Sequence, residues 1–552
     1  MNYTDYLFLP VFLISLGIYF IIPKKNRWIV LLVTSILFYF SWGIILLPFI
    51  IFSSLIAYIA AIRMESAYSE SVVTAKEKQE EQGTKEQTNT KRKNKKTLLV
   101  AISLILLLLV YVKAQKYLVE LPLLTGIIAF VSNVYKACNE LLSKIPVVSL
   151  FVSITEKETE TLSLLYPLGI SYYTLSLIGY LADVYWKKEK AEKNYLRFFL
   201  FIVFFPKILE GPISKHRDVS SQLNEGHEFD YKRVCFGLQR VVWGYFKKLI
   251  IADRLIALVN EVFGNAVLHM GSEFLIAAIF GAVQLYCDFS GCMDIALGVS
   301  ECFGITLEEN FKQPFASRSA AEFWRRWHIT LGAWFKDYVF MPLAISPRLM
   351  KMSSFLRKRL GKRAGKIFLS VIPLAVVWLL TGLWHGTGAN YMVWGVYWGL
   401  LIILSSVFEP EIRKLTTKLK IDTTSSGFRF FQMSRTFWLF VISRIITLPE
   451  TLEGTWYTIQ SIFTNFAPWK LVDGSLYKLG IDSPQFFVTM LAIALVGFVG
   501  SRHEKGIRIR EWIAARPIVI RWLIYYGAIF AVLIFGAYGP GYDAGSFVYM
   551  QY

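Results

Sequence analysis

Long apolar runs recur from one end of this chain to the other, and they leave it few folds to choose from. They fall near residues 6–22, 28–42, 44–63, 98–113, 121–135, 162–182, 195–209, 272–288, 367–384, 390–408, 427–447, 484–500 and 519–538. A helix needs about 20 mostly apolar residues to cross the hydrocarbon core of a bilayer. Lipid offers the backbone no water to bond to, so each crossing must satisfy its own N–H and C=O groups, as a helix does. The runs therefore predict an all-α polytopic membrane protein with roughly eleven to thirteen membrane segments. Composition agrees: of 552 residues 55% are hydrophobic and only 18% charged, against roughly a quarter charged in soluble domains. The sequence shows no repeat of fixed period and no inverted pair of Gly/Pro-broken helices, a frequent mark of secondary transporters.

The net charge of +19 reads as cytoplasmic loops in contact with anionic membrane lipids, and not as a nucleic-acid surface. The loop PKKNR (23–27) and the block KRKNKK (91–96) are both basic, with two crossings between them. Both are then cytoplasmic, which predicts a multi-pass protein of the plasma membrane with its N-terminus outside. Lys24, Lys25 and Arg27 follow the first apolar run, whereas a cleaved signal peptide carries its charges in front. Residues 65–97, rich in Lys, Glu, Gln and Thr, are expected to form a disordered cytoplasmic linker. The expected layout is N-terminal spans over 1–64, that linker over 65–97, a core over 98–410 and C-terminal spans over 411–552. Cys138, Cys235, Cys287, Cys292 and Cys302 include no CxxC pair, which argues against a disulfide framework and against a metal centre.

Ionisable residues at membrane depth are costly, so they are functional candidates by default. In FFPKILEGPISKHRDV (204–219), Lys207 and Glu210 are three apart and could pair before Gly211-Pro212 ends the helix. A capped helix end and a pathway lining both fit them. In QLYCDFSGCMDIALG (284–298), Asp288 and Asp294 interrupt an apolar run, and the next arginines along the sequence are Arg318, Arg325 and Arg326. A structural ion-pair role is the favoured reading there, with a catalytic one beside it. Between 230 and 264, Arg240, Lys247, Lys248, Asp253 and Arg254 give an amphipathic pattern, that of an interfacial helix or one bordering a polar cavity.

The densest constellation is AEFWRRWHITLGAWFKDYVFMPLAI (321–345). At helical spacing Trp324, Trp327, His328, Leu331, Phe335 and Tyr338 share one face, with Arg325 and Arg326 on its flank. Apolar surroundings and nearby guanidinium groups both disfavour an imidazolium, so the ring is expected to stay neutral and able to accept a proton. A hydrogen-bonded histidine inside a packed helix is the plainer alternative. A second histidine, His385, follows Trp384 in GLWHGTG (382–388), at the end of an apolar run and between glycines that allow close backbone approach. Here the plainer alternative is a helix-terminal histidine bonded to a carbonyl.

These stretches, with GISYYTLSLIGYLADVYW (169–186), QLYCDFSGCMDIALGVSECFGITLEENFKQPFASRSAAEFWRRWHITLGAWFKDYVFMPL (284–343) and GLWHGTGANYMVWGVYWG (382–399), resemble the bacterial branch of the membrane-bound O-acyltransferase family. The pattern is that of the alginate O-acetylation type, and the D-alanyl-lipoteichoic acid transfer protein shares a shorter version. The resemblance covers residues 1–410 in order and is strongest at EFWRRWH…LGAWFKDYVFMPL followed by GLWHG. It departs at GTGANYMVWGVYWG, where Trp398 stands at a place usually held by histidine in the alginate type.

The resemblance implies a catalytic core within 98–410 and a bundle of helices around a central funnel. An acyl group, acetyl by the same resemblance, would pass through it from a cytoplasmic thioester to a cell-surface polysaccharide outside. It implies His385 and His328 as catalytic residues, with Trp324, Trp327, Arg325, Arg326, Trp384, Lys207, Glu210 and Asp288 lining the substrate path. It also implies no bound cofactor, acetyl-CoA or an acyl carrier thioester as donor, and a separate extracytoplasmic acyltransferase as partner. Two other readings stand beside this one. The first is a transporter or lipid flippase without acyl chemistry, and the second is a family member that acylates a lipid or a small hydroxylated metabolite.

Overall fold

The computed structural model describes residues 1–43, 46–77, 80–118 and 167–538. Among these the regular structure is helical, apart from one isolated antiparallel bridge between Phe311 and Trp327. Seven helices among the described residues are long and apolar enough to cross a membrane: Leu47–Ser71, Gln87–Ala114, Gly271–Cys302, Lys362–His385, Ala389–Lys418, Ser483–Glu504 and Ile518–Phe535. The protein is an all-helical, multi-span membrane protein. None of the residues of Ile518–Phe535 is buried, and an apolar helix without protein cover is stable only in hydrocarbon.

Seven is fewer than the apolar runs because several runs fold as shorter helices. Arg27–Phe40 has 14 residues, Ile170–Tyr185 has 16 and Tyr195–Val203 only 9. At about 1.5 Å per residue, none of these spans the roughly 30 Å of hydrocarbon. The last of them stops at Phe204, which is extended (φ −47°, ψ 111°) where Pro206 follows closely and supplies no N–H. The run near 121–135 lies outside the described residues. The stretch expected to be a disordered linker instead has a helical backbone, since Leu47–Glu77 and Glu80–Leu118 run through residues 65–77 and 80–97. Lys, Glu and Gln are good helix formers, and each helix here prolongs an apolar span, so no new nucleus is required. Asn94, inside the basic block, is buried and donates to Met64 O at 2.9 Å, tying the second helix to the first.

The chain divides into two compact units, residues 1–238 with 296–308 and residues 239–295 with 309–552. In the first, Phe8, Phe12, Phe38, Phe205 and Phe303 form a fully buried aromatic cluster. The Tyr3 hydroxyl donates to Phe205 O and Pro206 O, and Ser35 Oγ accepts from Phe205 N, so the kink before Pro206 leaves its backbone groups satisfied.

In the second unit two close helix approaches do most of the positioning. A Cβ on Gly244 would lie 2.6 Å from Gly291 O, so only glycine lets the Tyr231–Tyr245 helix meet the Gly271–Cys302 helix there. A Cβ on Gly395 would lie 2.7 Å from Trp378 O, and this contact closes the hairpin of Lys362–His385 on Ala389–Lys418. A core around Ile251, Leu255, Leu258, Phe274 and Ala277 holds the Asp253–Gly264 helix in the same unit.

Candidate functional site

Residues 321–345 do not form one helix. Ala320–Arg326 ends at Trp327, which is extended (φ −109°, ψ 129°), and Ile329–Phe335 begins after His328 in the left-handed region (φ 48°, ψ 51°). A non-glycine residue there costs about 1–2 kcal/mol, and tertiary bonds supply the compensation. Lys312 N donates to Arg326 O at 2.9 Å and Ile329 N to Asn310 O at 3.1 Å. A short extended segment at 310–312 therefore holds the break open and fixes the backbone on either side of His328.

The same segment orients the ring. Asn310 Oδ1 accepts from Thr330 N and Thr330 Oγ1, each at 3.0 Å, and lies 3.3 Å from His328 Nδ1. The Thr330 N–H can only donate, which fixes the amide with its oxygen toward the histidine. His328 Nδ1 is then the protonated nitrogen, and Nε2 carries the lone pair. His328 is 2% exposed and lies outside the seven span-length helices. Burial holds its imidazole well below the usual histidine range, and the neighbouring His385 adds to that. The flanking arginines are not the cause: Arg325 is exposed, and Arg326 pairs with Glu322 at 2.8 Å and with Glu504.

His385 ends the Lys362–His385 helix, and Gly386 continues the chain fully extended (φ −174°). Its ring is buried, 4.9 Å from Trp384 and 4.9 Å from Trp394. Trp384 also lies 6.0 Å from His328, so one indole touches both histidines. Trp324, Trp327, His385, Tyr391, Trp394 and Arg444 are among the residues lining a cavity of about 40 Å³. Three tryptophan rings and Phe440 make up much of its wall and keep this space small.

The structure thus brings Trp324, Trp327, Trp384 and both histidines together. Arg325 and Arg326 do not line this cavity. Asp288 is 1% exposed and ion-paired with Lys248 at 2.6 Å, while Asp294 takes Lys247 at 2.6 Å and Arg240 at 2.9 Å. Lys248 also reaches Asp253 at 2.8 Å. Arg240, Lys247 and Lys248 therefore sit on carboxylates of the neighbouring helices, and the Gly244–Gly291 approach brings the Lys247 and Lys248 region against Asp288 and Asp294. Lys207 and Glu210 are buried in the first unit, Lys207 with its ammonium 3.6 Å from the Phe201 ring centre. Among the described residues no group of His, Cys, Asp or Glu could hold a metal ion.

Two site residues escaped the sequence reading, Asn310 and Arg444. Asn310 had no signal beyond being polar beside an apolar stretch. Arg444 had one: it is an arginine inside the apolar run 427–447, where a charge invites a functional question.

Residues 192–445 match MBOAT, the membrane-bound O-acyltransferase family. The chain is 32% identical over 339 residues to the probable alginate O-acetylase AlgI of Pseudomonas syringae pv. tomato, covering 61% of this chain and 59% of that protein. It is 29% identical over 317 residues to the peptidoglycan O-acetyltransferase of Helicobacter pylori, covering 52% of this chain and 56% of that protein. To the teichoic acid D-alanyltransferase of Bacillus subtilis it is 30% identical over 258 residues, covering 45% of this chain and 60% of that protein. It spans about three fifths of the length of these curated relatives. The stretch that matches the membrane-bound O-acyltransferase family holds both histidines, the asparagine that orients one of them and most of the wall of the cavity beside the other.

Proposed function

We propose that this protein moves a small acyl group, acetyl, from a cytoplasmic thioester donor for O-acylation of an extracytoplasmic cell-surface polysaccharide. The observation that carries the reading is the pair of buried histidines on either side of Trp384, inside the stretch that matches the O-acyltransferase family. The names of the alginate and peptidoglycan relatives support a polysaccharide acceptor and an acetyl group.

A thioester is already activated, so the remaining barrier is deprotonation of the hydroxyl and stabilisation of the oxyanion. In this reading His385 takes the proton as the acceptor oxygen adds to the carbonyl carbon. The C–S bond then breaks and the thiolate leaves with a proton. General-base help of this kind is worth about 10²–10⁴-fold. His328, neutral and held with its Nε2 lone pair available, positions the acceptor or relays the acyl group. The tryptophans keep out water that would hydrolyse the thioester. Acetyl-CoA or an acylated carrier protein supplies the donor, and a separate extracytoplasmic acyltransferase carries the group onward to polymer. The positive-inside rule assigns the basic segments 23–27 and 91–96 to the cytoplasmic side, the side on which a thioester donor is made.

The test is alkali-released acetate from purified envelope polysaccharide in wild type, His385→Ala and His328→Ala at matched membrane expression. Acetate at the deletion level in His385→Ala, with polymer yield unchanged, is the expected result. Unchanged acetate in both variants would sink histidine-centred transfer and leave the transport reading. Loss confined to a lipid or small-molecule fraction would move the acceptor to that class.

A further inference from the structure

Arg444 sits on the wall of the cavity that His385 shares. It is 7% exposed, its Nη1 donates to Thr447 Oγ1 at 3.0 Å, and among the described residues its buried Nε–H meets no acceptor. Among the described residues no carboxylate pairs with it. It lies in the last turn of the Ser426–Thr447 helix, whose carbonyl end offsets part of the charge and leaves the Nε–H unmet. A buried guanidinium without a counter-ion is costly to keep. Trp324, which lines the same cavity, repeats the pattern, with a buried Nε1–H that meets no acceptor among the described residues. Two donors without acceptors therefore line one small space beside a histidine.

A guest that satisfies both must be small and must present an acceptor oxygen, and the guanidinium favours one on which negative charge develops. The volume of about 40 Å³ is well under the roughly 150 Å³ that accommodates benzene in an engineered cavity, and it suits a short acyl group. We propose that Arg444 and Trp324 hold the carbonyl oxygen of the acyl group and the negative charge that develops on it. This rests on the acyl-transfer reading. As the acceptor oxygen bonds to the carbonyl carbon, the C=O π pair moves onto the carbonyl oxygen, and His385 takes the hydroxyl proton. Arg444 and the Trp324 N–H stabilise that oxyanion until the pair returns and the C–S bond breaks.

The test uses the full-length protein, purified and reconstituted, with two readouts. The first is acyl turnover from a thioester donor. The second is the dependence of thermal unfolding on sodium acetate, whose carboxylate presents the charge an oxyanion would. Losing one such donor lowers turnover by about 10²–10³-fold, and this is expected for Arg444→Met, with Arg444→Lys intermediate. Removing an uncompensated buried charge leaves Tm equal or higher, and acetate, which raises the wild-type Tm, no longer does so in Arg444→Met. Trp324→Phe, which deletes the N–H together with part of the indole ring, lowers turnover in the same direction. Wild-type turnover in Arg444→Met overturns the proposal. So does a fall in Tm with the acetate response intact, which would mark a structural arginine. If acetate stabilises only the wild type but no variant or wild type transfers acyl groups, the anion site stands and the acyl-transfer reading is what fails.

Discussion

Asn310 offers the sharpest separation of geometry from chemistry at His328. It is 1% exposed, and its single side-chain oxygen serves two donors of Thr330 at 3.0 Å and faces His328 Nδ1 at 3.3 Å. In Asn310→Ala the Thr330 N–H and the His328 Nδ1–H lose this acceptor. At roughly 1–3 kcal/mol for each orphaned buried donor, the fold loses about 2–6 kcal/mol. His328 also loses the bond that selects its tautomer, and a catalytic group displaced by an ångström costs about 10²-fold in rate. Asn310→Asp divides these effects. The acceptor is kept, so the stability loss is smaller, but a carboxylate beside the ring favours the imidazolium and raises its pKa. A raised pKa means that His328 protonates at higher pH and gives up its Nε2 lone pair there. The acid limb of the pH–rate profile therefore moves upward in Asn310→Asp, while turnover at alkaline pH stays near wild type. The assay is acyl turnover against pH at matched folded protein. A profile for Asn310→Asp that superimposes on the wild type, together with wild-type turnover in Asn310→Ala, would refute the orienting role.

Two further predictions concern stability. Lys248→Met leaves Asp288 and Asp253, 1% and 3% exposed, without their shared ammonium, and breaking a buried pair in this way costs about 3–5 kcal/mol; thermal unfolding in detergent should show the loss, and adding Asp288→Leu should recover part of it. Burial holds the folded-state pKa of His328 below the ordinary 6.5, so protons favour the unfolded chain: the contribution is complete above about pH 6.5 and is lost as pH falls below it. The Tm advantage of wild type over His328→Gln should therefore shrink on acidification, and a difference independent of pH would argue against a buried neutral ring.

The sequence exposed the fold where lipid imposes a rule and concealed it where tertiary contacts decide. A run such as 519–538 can only be a helix, because hydrocarbon accepts no unpaired backbone, and Ile518–Phe535 is one. The break at Trp327–His328 was not legible. Trp324, Trp327, Leu331 and Phe335 keep a helical spacing straight through it, and what overrides that spacing is the pairing of 310–312 with 326–329, set by residues a loop away. The same limit applied to span length. Composition shows that 195–209 is apolar, but Phe204 and Pro206 cut it into Tyr195–Val203 and Phe205–Ile208.

Charges inside apolar runs look alike in sequence and divide only when their partners are known. The next arginines after Asp288 and Asp294 in sequence are Arg318, Arg325 and Arg326, yet the two carboxylates meet Lys248, Lys247 and Arg240. That pairing depends on Gly244 and Gly291 letting two helices touch, a relation invisible in any local window. Arg444 is hard to single out for a different reason, since it is one of three arginines in the run 427–447, with Arg429 and Arg435, and nothing local separates it from them. In the structure the first group is mutually satisfied, so its charges explain one another and require no ligand. Among the described residues Arg444 meets only a hydroxyl and a helix end, and no carboxylate there balances its charge. A buried cation that the fold does not neutralise, on the wall of the cavity that holds His385, is best explained by a reaction that brings a negative charge to it.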